Sequence, residues 1–321
     1  MPQTAAAQRL ERATTTWNHS RYGRVYSLVG VDESELRSNP EALPGADSPR
    51  IGLYQVNGAD LYAEVRGSGP VVLLVGAGDE DAEVFRPIAE RLTARTVLTY
   101  DRRGTLRSSR DGWPGGGSKV HADDAAGLVR ALGLDGVTVF GASAGGIVGF
   151  QAALRHPDLV RRALIFEPGY FRAVPGGEDL ARRGSEAVDD HLAENPNDWV
   201  GASAALGRAI AVSVDPGPRG FFTPPDGKEW YTERMDANAE AFIRDDLDLT
   251  RELVDETILG SAPVQIRFAF GTRSLPIFEQ IVQRLSALCG QTPDRLDGVG
   301  HGVYYHPDQT AAYILNHTEP R

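Results

Sequence analysis

Short apolar runs and stretches with helical spacing alternate along most of the chain. Four runs are nearly continuous, as expected of parallel strands buried on both faces: PVVLLVG (70–76), RTVLTYD (95–101), GVTVFGAS (136–143) and RRALIFEP (161–168). Apolar residues recur at helical spacing in three stretches: residues 81–94, 120–134 and 144–157. Because strands and helices alternate with short links, the pattern predicts an α/β fold with a mostly parallel sheet flanked by helices.

The alternation breaks between about residues 170 and 260 and then resumes with PVQIRFAFG (263–271) and LPIFEQIVQRLSAL (275–288). An insertion inside a resumed α/β pattern is typical of a lid. We therefore predict three parts: an N-terminal extension of residues 1–50, a core of residues 51–169 and 261–321, and a helical lid subdomain of residues 170–260.

The inserted segment carries scattered aromatic residues: Trp199, Phe221, Phe222, Trp230, Tyr231 and Phe242. They favour an apolar ligand of middle size, although aromatic residues in a small subdomain also serve as its core.

Charge and composition exclude some classes of function. Lys and Arg number 33 against 44 Asp and Glu, so the net charge is -11 and a nucleic-acid partner is not expected. Cys289 is the single cysteine and cannot form an intrachain disulfide. The sequence contains no apolar run long enough for a signal peptide or a membrane span, so we expect a cytoplasmic protein.

The segment Gly141-Ala142-Ser143-Ala144-Gly145 is a G-x-S-x-G motif between a β-branched strand and an amphipathic helix. A sharp turn there forces the serine into strained backbone angles and leaves no room for side chains at the two glycines. The turn would hold Ser143 Oγ at the end of the sheet, at the positive end of a helix. The alternative, a serine that caps a helix in a nucleotide-binding fold, lacks any accompanying phosphate-binding glycine motif.

A serine nucleophile needs a base, and His301 is the candidate. Gly300-His301-Gly302 follows the last predicted strand and precedes the last helix, and the flanking glycines leave the ring accessible. Five other histidines lie in polar text and are expected at the surface: His19, His121, His156, His191 and His317. No cluster of carboxylates or cysteines stands at ligand spacing, so no metal is predicted.

Together with the turn at Ser143, the run YDRRGTLRSS (100–109) resembles the α/β-hydrolase fold, in particular its actinobacterial-type members with Tyr-Asp-Arg-Arg-Gly after the fourth strand. The resemblance covers roughly residues 51–317 apart from the inserted segment. It implies an eight-stranded, mostly parallel sheet, hydrolysis through an acyl-enzyme and no cofactor. Epoxide hydrolases and haloalkane dehalogenases are disfavoured, because those relatives carry Asp where Ser143 stands.

Two backbone N–H groups are expected to stabilise the oxyanion of the tetrahedral intermediate. One would come from Ala144, the residue after the nucleophile, and the other from Ala77 in the loop Val75-Gly76-Ala77-Gly78-Asp79. The family often has His-Gly at the start of this loop. Val75 stands in place of that histidine, so a side-chain hydrogen bond that usually braces the loop is missing.

The acid that orients the base departs from the commonest pattern of the family. Ser274 stands where most relatives carry Asp after the seventh strand, so the candidate becomes Glu167, at the end of the sixth. The order Ser143, Glu167, His301 matches the order of the family's triad. Two alternatives remain: Glu167 caps the entrance of the lid or pairs with Arg172, or Ser274 bonds the imidazole in a dyad without an acid.

The sequence therefore predicts a serine hydrolase that acts on an ester, lactone, thioester or related carbonyl substrate of apolar character, with a small molecule as its partner. A second hypothesis is a non-hydrolytic enzyme on the same scaffold, which performs a cyclisation, elimination or acyl transfer. A third is an inactive binding protein, against which the intact Ser143 and His301 argue. The sequence leaves the substrate and the oligomeric state open.

Overall fold

The computed structural model of the protein describes residues 49–211, 229–260 and 262–318. The extension predicted for residues 1–50 lies almost wholly outside these ranges, as do Phe221 and Phe222 of the inserted segment.

An eight-stranded sheet forms the centre of the molecule, with the strand order β1-β2-β4-β3-β5-β6-β7-β8. The strands are β1 (Arg50–Val56), β2 (Ala59–Gly67), β3 (Val71–Val75), β4 (Thr96–Tyr100), β5 (Val137–Ala142), β6 (Val160–Phe166), β7 (Gln265–Gly271) and β8 (Asp294–Leu296). Only β2 runs antiparallel to its neighbours, β1 and β4, and all other pairs are parallel. The predicted fold class is thereby confirmed. Asn57 and Gly58 close the β1–β2 hairpin with positive φ angles, as the Asn-Gly pair predicts.

The described α-helices are α1 (Arg86–Ala89), α2 (Gly117–Ala131), α3 (Ser143–Arg155), α4 (Gly177–Glu194), α5 (Trp199–Ala211), α6 (Glu229–Ala237), α7 (Ala239–Ala241), α8 (Leu247–Thr250), α9 (Glu256–Leu259), α10 (Pro276–Leu288) and α11 (Pro307–Thr318). A π-helical turn (Phe242–Asp246) joins α7 to α8, and 3₁₀ turns lie at Phe171–Ala173 and Val303–Tyr305. None of these helices is both long and apolar enough to cross a membrane.

The helix predicted over residues 81–94 is much shorter in the structure. Asp81 Oδ1 accepts the backbone N–H groups of Glu83 and Val84, which stabilises a turn in place of helical hydrogen bonds. The helix α1 begins only at Arg86, with Pro87 in its first turn, where the missing proline N–H costs nothing. The hydrogen bonds of the Asp81 side chain therefore replace the helix that the apolar spacing predicts at this point.

Both faces of the sheet are buried. Val139 of β5 packs in the cluster that includes α2, α3 and α10, whereas its neighbour Phe140 packs in the cluster with α1 and α11. Successive side chains of a strand point to opposite faces, so the continuous apolar runs of the sequence follow directly from this double burial. Fully burying one such side chain contributes about 1.5–3 kcal/mol.

The described residues of the segment between β6 and β7 form α4 to α9 and pack mainly into the first of these clusters, while Tyr231 packs into the second. Leu180, Leu206, Ile243 and Leu249 are buried in the first cluster. The segment therefore shares its hydrophobic core with the sheet.

Candidate active site

Ser143 lies at the junction where β5 ends at Ala142 and α3 begins. Its φ angle is +55°, a left-handed conformation that a residue with a Cβ rarely adopts. Such strain persists only where the surrounding structure enforces it. Here the enforcing element is an abrupt change from strand to helix.

The glycines of the motif are explained by close backbone contacts. A Cβ atom on Gly141 would lie 2.3 Å from the carbonyl oxygen of Gly145, and one on Gly145 would lie 2.2 Å from the carbonyl oxygen of Val75. Both distances are far below van der Waals contact. The turn at Ser143 and the loop after β3 therefore pack backbone against backbone.

Glu167 follows β6 directly and is fully buried. Its Oε2 lies 2.6 Å from His301 Nδ1, and its Oε1 accepts the N–H of Gly271 at 2.7 Å. Because a carboxylate accepts hydrogen bonds, Nδ1 carries the hydrogen in this contact and Nε2 remains the basic nitrogen. The ring of His301 also stacks on Phe278, with centroids 4.1 Å apart. The imidazole is thus fixed in position and in tautomer.

Neither the pairing with Arg172 nor the bond from Ser274 is present in the structure. Arg172 lies 3.2 Å from Glu178 and donates to the carbonyl of Arg251, away from Glu167. The hydroxyl of Ser274 is buried and has no hydrogen-bond partner among the described residues. Glu167 is therefore the residue that the fold brings to His301.

Ser143 and His301 line one cavity together with Ala144 and part of the inserted segment. The apolar wall is built by side chains that include Phe171, Leu180, Leu206, Ile210, Phe242 and Leu247. Asp246 and Thr250 add polar groups from the inserted segment. The inserted segment therefore contributes a mostly apolar lining, and Ser143 and His301 come from the elements of the sheet.

The amides of the loop after β3 are held by carboxylates. The N–H of Ala77 donates to Glu80 Oε2 at 2.9 Å, and the N–H of Gly78 donates to Asp246 Oδ2 at 2.7 Å. Thr105 Oγ1 adds a bond to the carbonyl of Gly78. These contacts replace the histidine brace whose place Val75 takes. Ala77, the predicted oxyanion donor, thus has an internal partner already.

Comparison with known proteins identifies the family of the chain. The sequence model of the alpha/beta hydrolase fold matches residues 69–223. The uncharacterized hydrolase YraK of Bacillus subtilis (strain 168) is 30% identical over 234 residues, which are 71% of this chain and 80% of that protein. The chain belongs to the α/β-hydrolase fold superfamily.

Solved structures agree with this assignment at the level of the fold. An esterase from Exiguobacterium antarcticum superimposes with a TM-score of 0.66 at 16% identity, over 85% of this chain and 100% of that one. A thermophilic esterase from Thermogutta terrifontis gives a TM-score of 0.62 at 19% identity, over 84% and 96%. The comparisons do not test the narrower resemblance to members that carry Tyr-Asp-Arg-Arg-Gly, and it stays a prediction.

In this α/β hydrolase a buried charge network lies behind the loop after β3. Arg102 Nη2 is 2.6 Å from Asp246 Oδ1, and both side chains are almost fully buried. Burial raises the pKa of Asp246, while Arg102 lowers it. Burial also raises the pKa of Glu80 to about 7, against the opposing effects of the Ala77 N–H and of Arg102.

The sequence analysis missed this network. Glu80 stands in the acidic run GDEDAE, where nothing distinguishes it from its neighbours, and Asp246 is one of many carboxylates in the inserted segment. His121, expected at the surface, is buried and lies 3.1 Å from Asp245. The contacts of Arg102 with Asp246 and of His121 with Asp245 join residues more than one hundred positions apart, so they leave no local signal in the sequence. Within the described ranges, no group of three or more His, Cys, Asp or Glu could hold a metal ion.

Proposed function

We propose that the protein is a serine hydrolase that acts through an acyl-enzyme on an ester, lactone, thioester or related carbonyl substrate of apolar character. The observation that carries the proposal is the buried contact of Glu167 with His301 Nδ1, in a histidine that lines the same cavity as Ser143. This arrangement supplies a nucleophile, a base and an acid that orients the base.

In the proposed mechanism, His301 Nε2 takes the proton of Ser143 while Oγ attacks the carbonyl carbon of the substrate. Glu167 stabilises the imidazolium that forms, without itself taking the proton. The carbonyl electrons move to the oxygen, and the resulting oxyanion accepts hydrogen bonds from the N–H of Ala144 and from the N–H of Ala77, which must then share or give up its bond to Glu80. When the intermediate collapses, the carbonyl re-forms and His301 protonates the leaving alcohol, thiol or amine. In the second half of the reaction, His301 takes a proton from water, the water oxygen attacks the acyl carbon, and Ser143 Oγ leaves with the proton that His301 returns.

The substrate is proposed to be a small molecule with an apolar acyl group. Aliphatic and aromatic side chains of the inserted segment line the cavity, and burying apolar substrate surface there is favourable at about 25 cal/mol per Å². We also propose that residues 170–260 act as a lid. The support is that described residues of this segment, among them Leu180, Leu206 and Phe242, line the cavity together with Ser143 and His301.

One observation favours a second candidate, the non-hydrolytic enzyme on this scaffold. The N–H groups of Ala77 and Gly78 both donate to carboxylates. Of the two predicted oxyanion donors, Ala77 and Ala144, the first is therefore already bonded to a carboxylate of the described residues. A cyclisation or elimination that develops little charge on a carbonyl oxygen would need that site less.

Covalent labelling separates these candidates. A fluorophosphonate probe should label the protein at Ser143, and a chromogenic short-chain ester should leave an acyl group on Ser143, detectable by mass spectrometry of the peptides. Ser143→Ala should abolish both signals. Ser185→Ala is the matched control, because Ser185 donates to the carbonyl of Ala181 inside α4 and does not line the cavity. Absence of any label on the native protein would overturn the proposed function.

A further inference from the structure

We infer that Glu80 is a positioning residue that controls whether the Ala77 amide is available to the oxyanion, and that the enzyme with a protonated Glu80 is the competent form. The inference rests on the proposed function, and it concerns a residue outside the proposed triad.

With Ala77 as the second oxyanion donor, as in the proposed function, the carboxylate of Glu80 and the substrate compete for the same N–H. Its carboxylate folds back over the turn in which Glu80 N–H donates to the carbonyl of Ala77, and Oε2 accepts the Ala77 N–H at 2.9 Å. The residue is only 6% exposed, so water does not screen this contact. Because an oxyanion needs a donor at nearly the same distance, it must share or replace this bond.

The neighbouring loop contact differs in one respect. Asp246, which accepts the Gly78 N–H, is also paired with Arg102 at 2.6 Å. For Glu80, no ion pair within 4.0 Å occurs in the described part of the chain. The carboxylate of Glu80 thus lacks the positive partner that Asp246 has, and its neighbours are the Ala77 N–H and the hydroxyl of Tyr304.

Charge decides which form of Glu80 permits the reaction. A carboxylate beside a developing oxyanion repels it, and the repulsion is strong in a buried site because the dielectric response is weak. A neutral carboxyl group removes that repulsion and is a weaker acceptor for the Ala77 N–H. The Ala77 N–H is then free to donate its hydrogen bond to the oxyanion.

Several charged and titratable groups face Glu80 from the elements packed around it: Asp79 of the same loop, Arg102 after β4, Asp246 of the inserted segment, and Tyr304 and Tyr305 before α11. Burial is the largest influence on the pKa of Glu80 and raises it, as does Asp246, whereas the Ala77 N–H, Arg102 and Tyr304 lower it; together they place the pKa at about 7. The two forms of Glu80 therefore interchange near neutral pH.

The test is the pH profile of kcat and KM for a chromogenic short-chain ester, in the native protein and in Glu80→Gln. Glutamine has nearly the shape of glutamate and, like the protonated carboxyl group, carries no charge. We expect kcat of the native protein to fall above about pH 7 and the variant to lack this fall. At pH 8.5 the variant should exceed the native kcat by about 10-fold, a fraction of what a whole oxyanion donor contributes. KM should change little, because the oxyanion exists only in the transition state and the intermediate.

Glu83→Gln is the matched control. Glu83 is a buried carboxylate three positions away that bonds Arg86 and holds no loop amide, so its variant should keep the native profile. A Glu80→Gln protein that folds, as its circular dichroism shows, but follows the native profile would overturn the inference. A native profile without a fall near pH 7 would do the same independently of any variant. If fluorophosphonate labels Ser143 in all three proteins, such a result contradicts the role of Glu80 alone; if it labels none, both proposals fail.

Discussion

The Nδ1 atom of His301 and the Oε2 atom of Glu167 lie 2.6 Å apart, although 134 positions separate the two residues in the chain. Glu167 follows β6, and His301 lies beyond the end of β8, two strands away in the sheet. The glutamate crosses the end of β7 and binds the Gly271 N–H there on its way. The contact therefore depends on the order of three adjacent strands.

Glu167→Gln should lower kcat by roughly 10²–10⁴, as expected for loss of a triad acid. The amide side chain carries no negative charge to stabilise the imidazolium. It must also present its single oxygen to two donors, the Gly271 N–H and His301 Nδ1. Steady-state kinetics on an activated ester measures the loss, and thermal unfolding reports whether the fold persists.

Glu178→Gln is the control for this variant. Glu178 is an exposed glutamate that pairs with Arg172, so its variant should keep native kinetics. Full activity of Glu167→Gln would remove Glu167 from the triad.

Ser143→Ala should reduce turnover by several orders of magnitude while leaving the free energy of unfolding unchanged or slightly higher. The alanine removes the nucleophile, and the strained φ of +55° belongs to the turn as a whole. His301→Ala should show a loss of similar size. The double variant should lose little more, because the two residues act as a unit. Additive losses in the three variants, measured as kcat/KM, would contradict a shared mechanism.

The sequence could predict the elements whose causes are local. The turn at Ser143 is visible because Gly141 is required by the carbonyl oxygen of Gly145, four positions on, whereas the contact of Gly145 with Val75 comes from another strand. Glu167 could be proposed because the resemblance to the family implied an acid after the seventh or the sixth strand, and Ser274 stands at the first of these places. The partners of Ala77 and Gly78 could not be found, because they depend on how the inserted segment and a turn fold back on one loop.

Leu206→Ala should shift the selectivity of the enzyme toward larger acyl groups. Leu206 lines the cavity from α5, so truncation adds space beside Ser143. The ratio of kcat/KM for a long-chain to that for a short-chain ester should rise. Leu259→Ala is the matched control: it removes an equally buried leucine of the inserted segment that does not line the cavity. Both variants should be destabilised by about 2–5 kcal/mol. An identical change of selectivity in the two would show that the effect is general loosening.

Glu80→Gln should stabilise the protein at alkaline pH but not at acidic pH. The pKa of Glu80 is about 7 in the folded protein, raised by burial from the ordinary value of 4.5. Below pH 4.5 both the folded and the unfolded states hold the proton, and the protonated side chain costs the fold nothing extra. Between pH 4.5 and 7 the unfolded state releases the proton while the folded state keeps it. The free energy of unfolding therefore falls as pH rises, until both states are ionised above pH 7.

Glutamine does not titrate, so the stability of the Glu80→Gln variant does not fall in this way. Urea unfolding at pH 4.5 and pH 8 should show the stability difference between variant and native protein growing by roughly 1–3 kcal/mol. The control Glu90→Gln, at an exposed glutamate, should show no such growth. A constant difference across this range would mean that Glu80 stays charged in the folded protein.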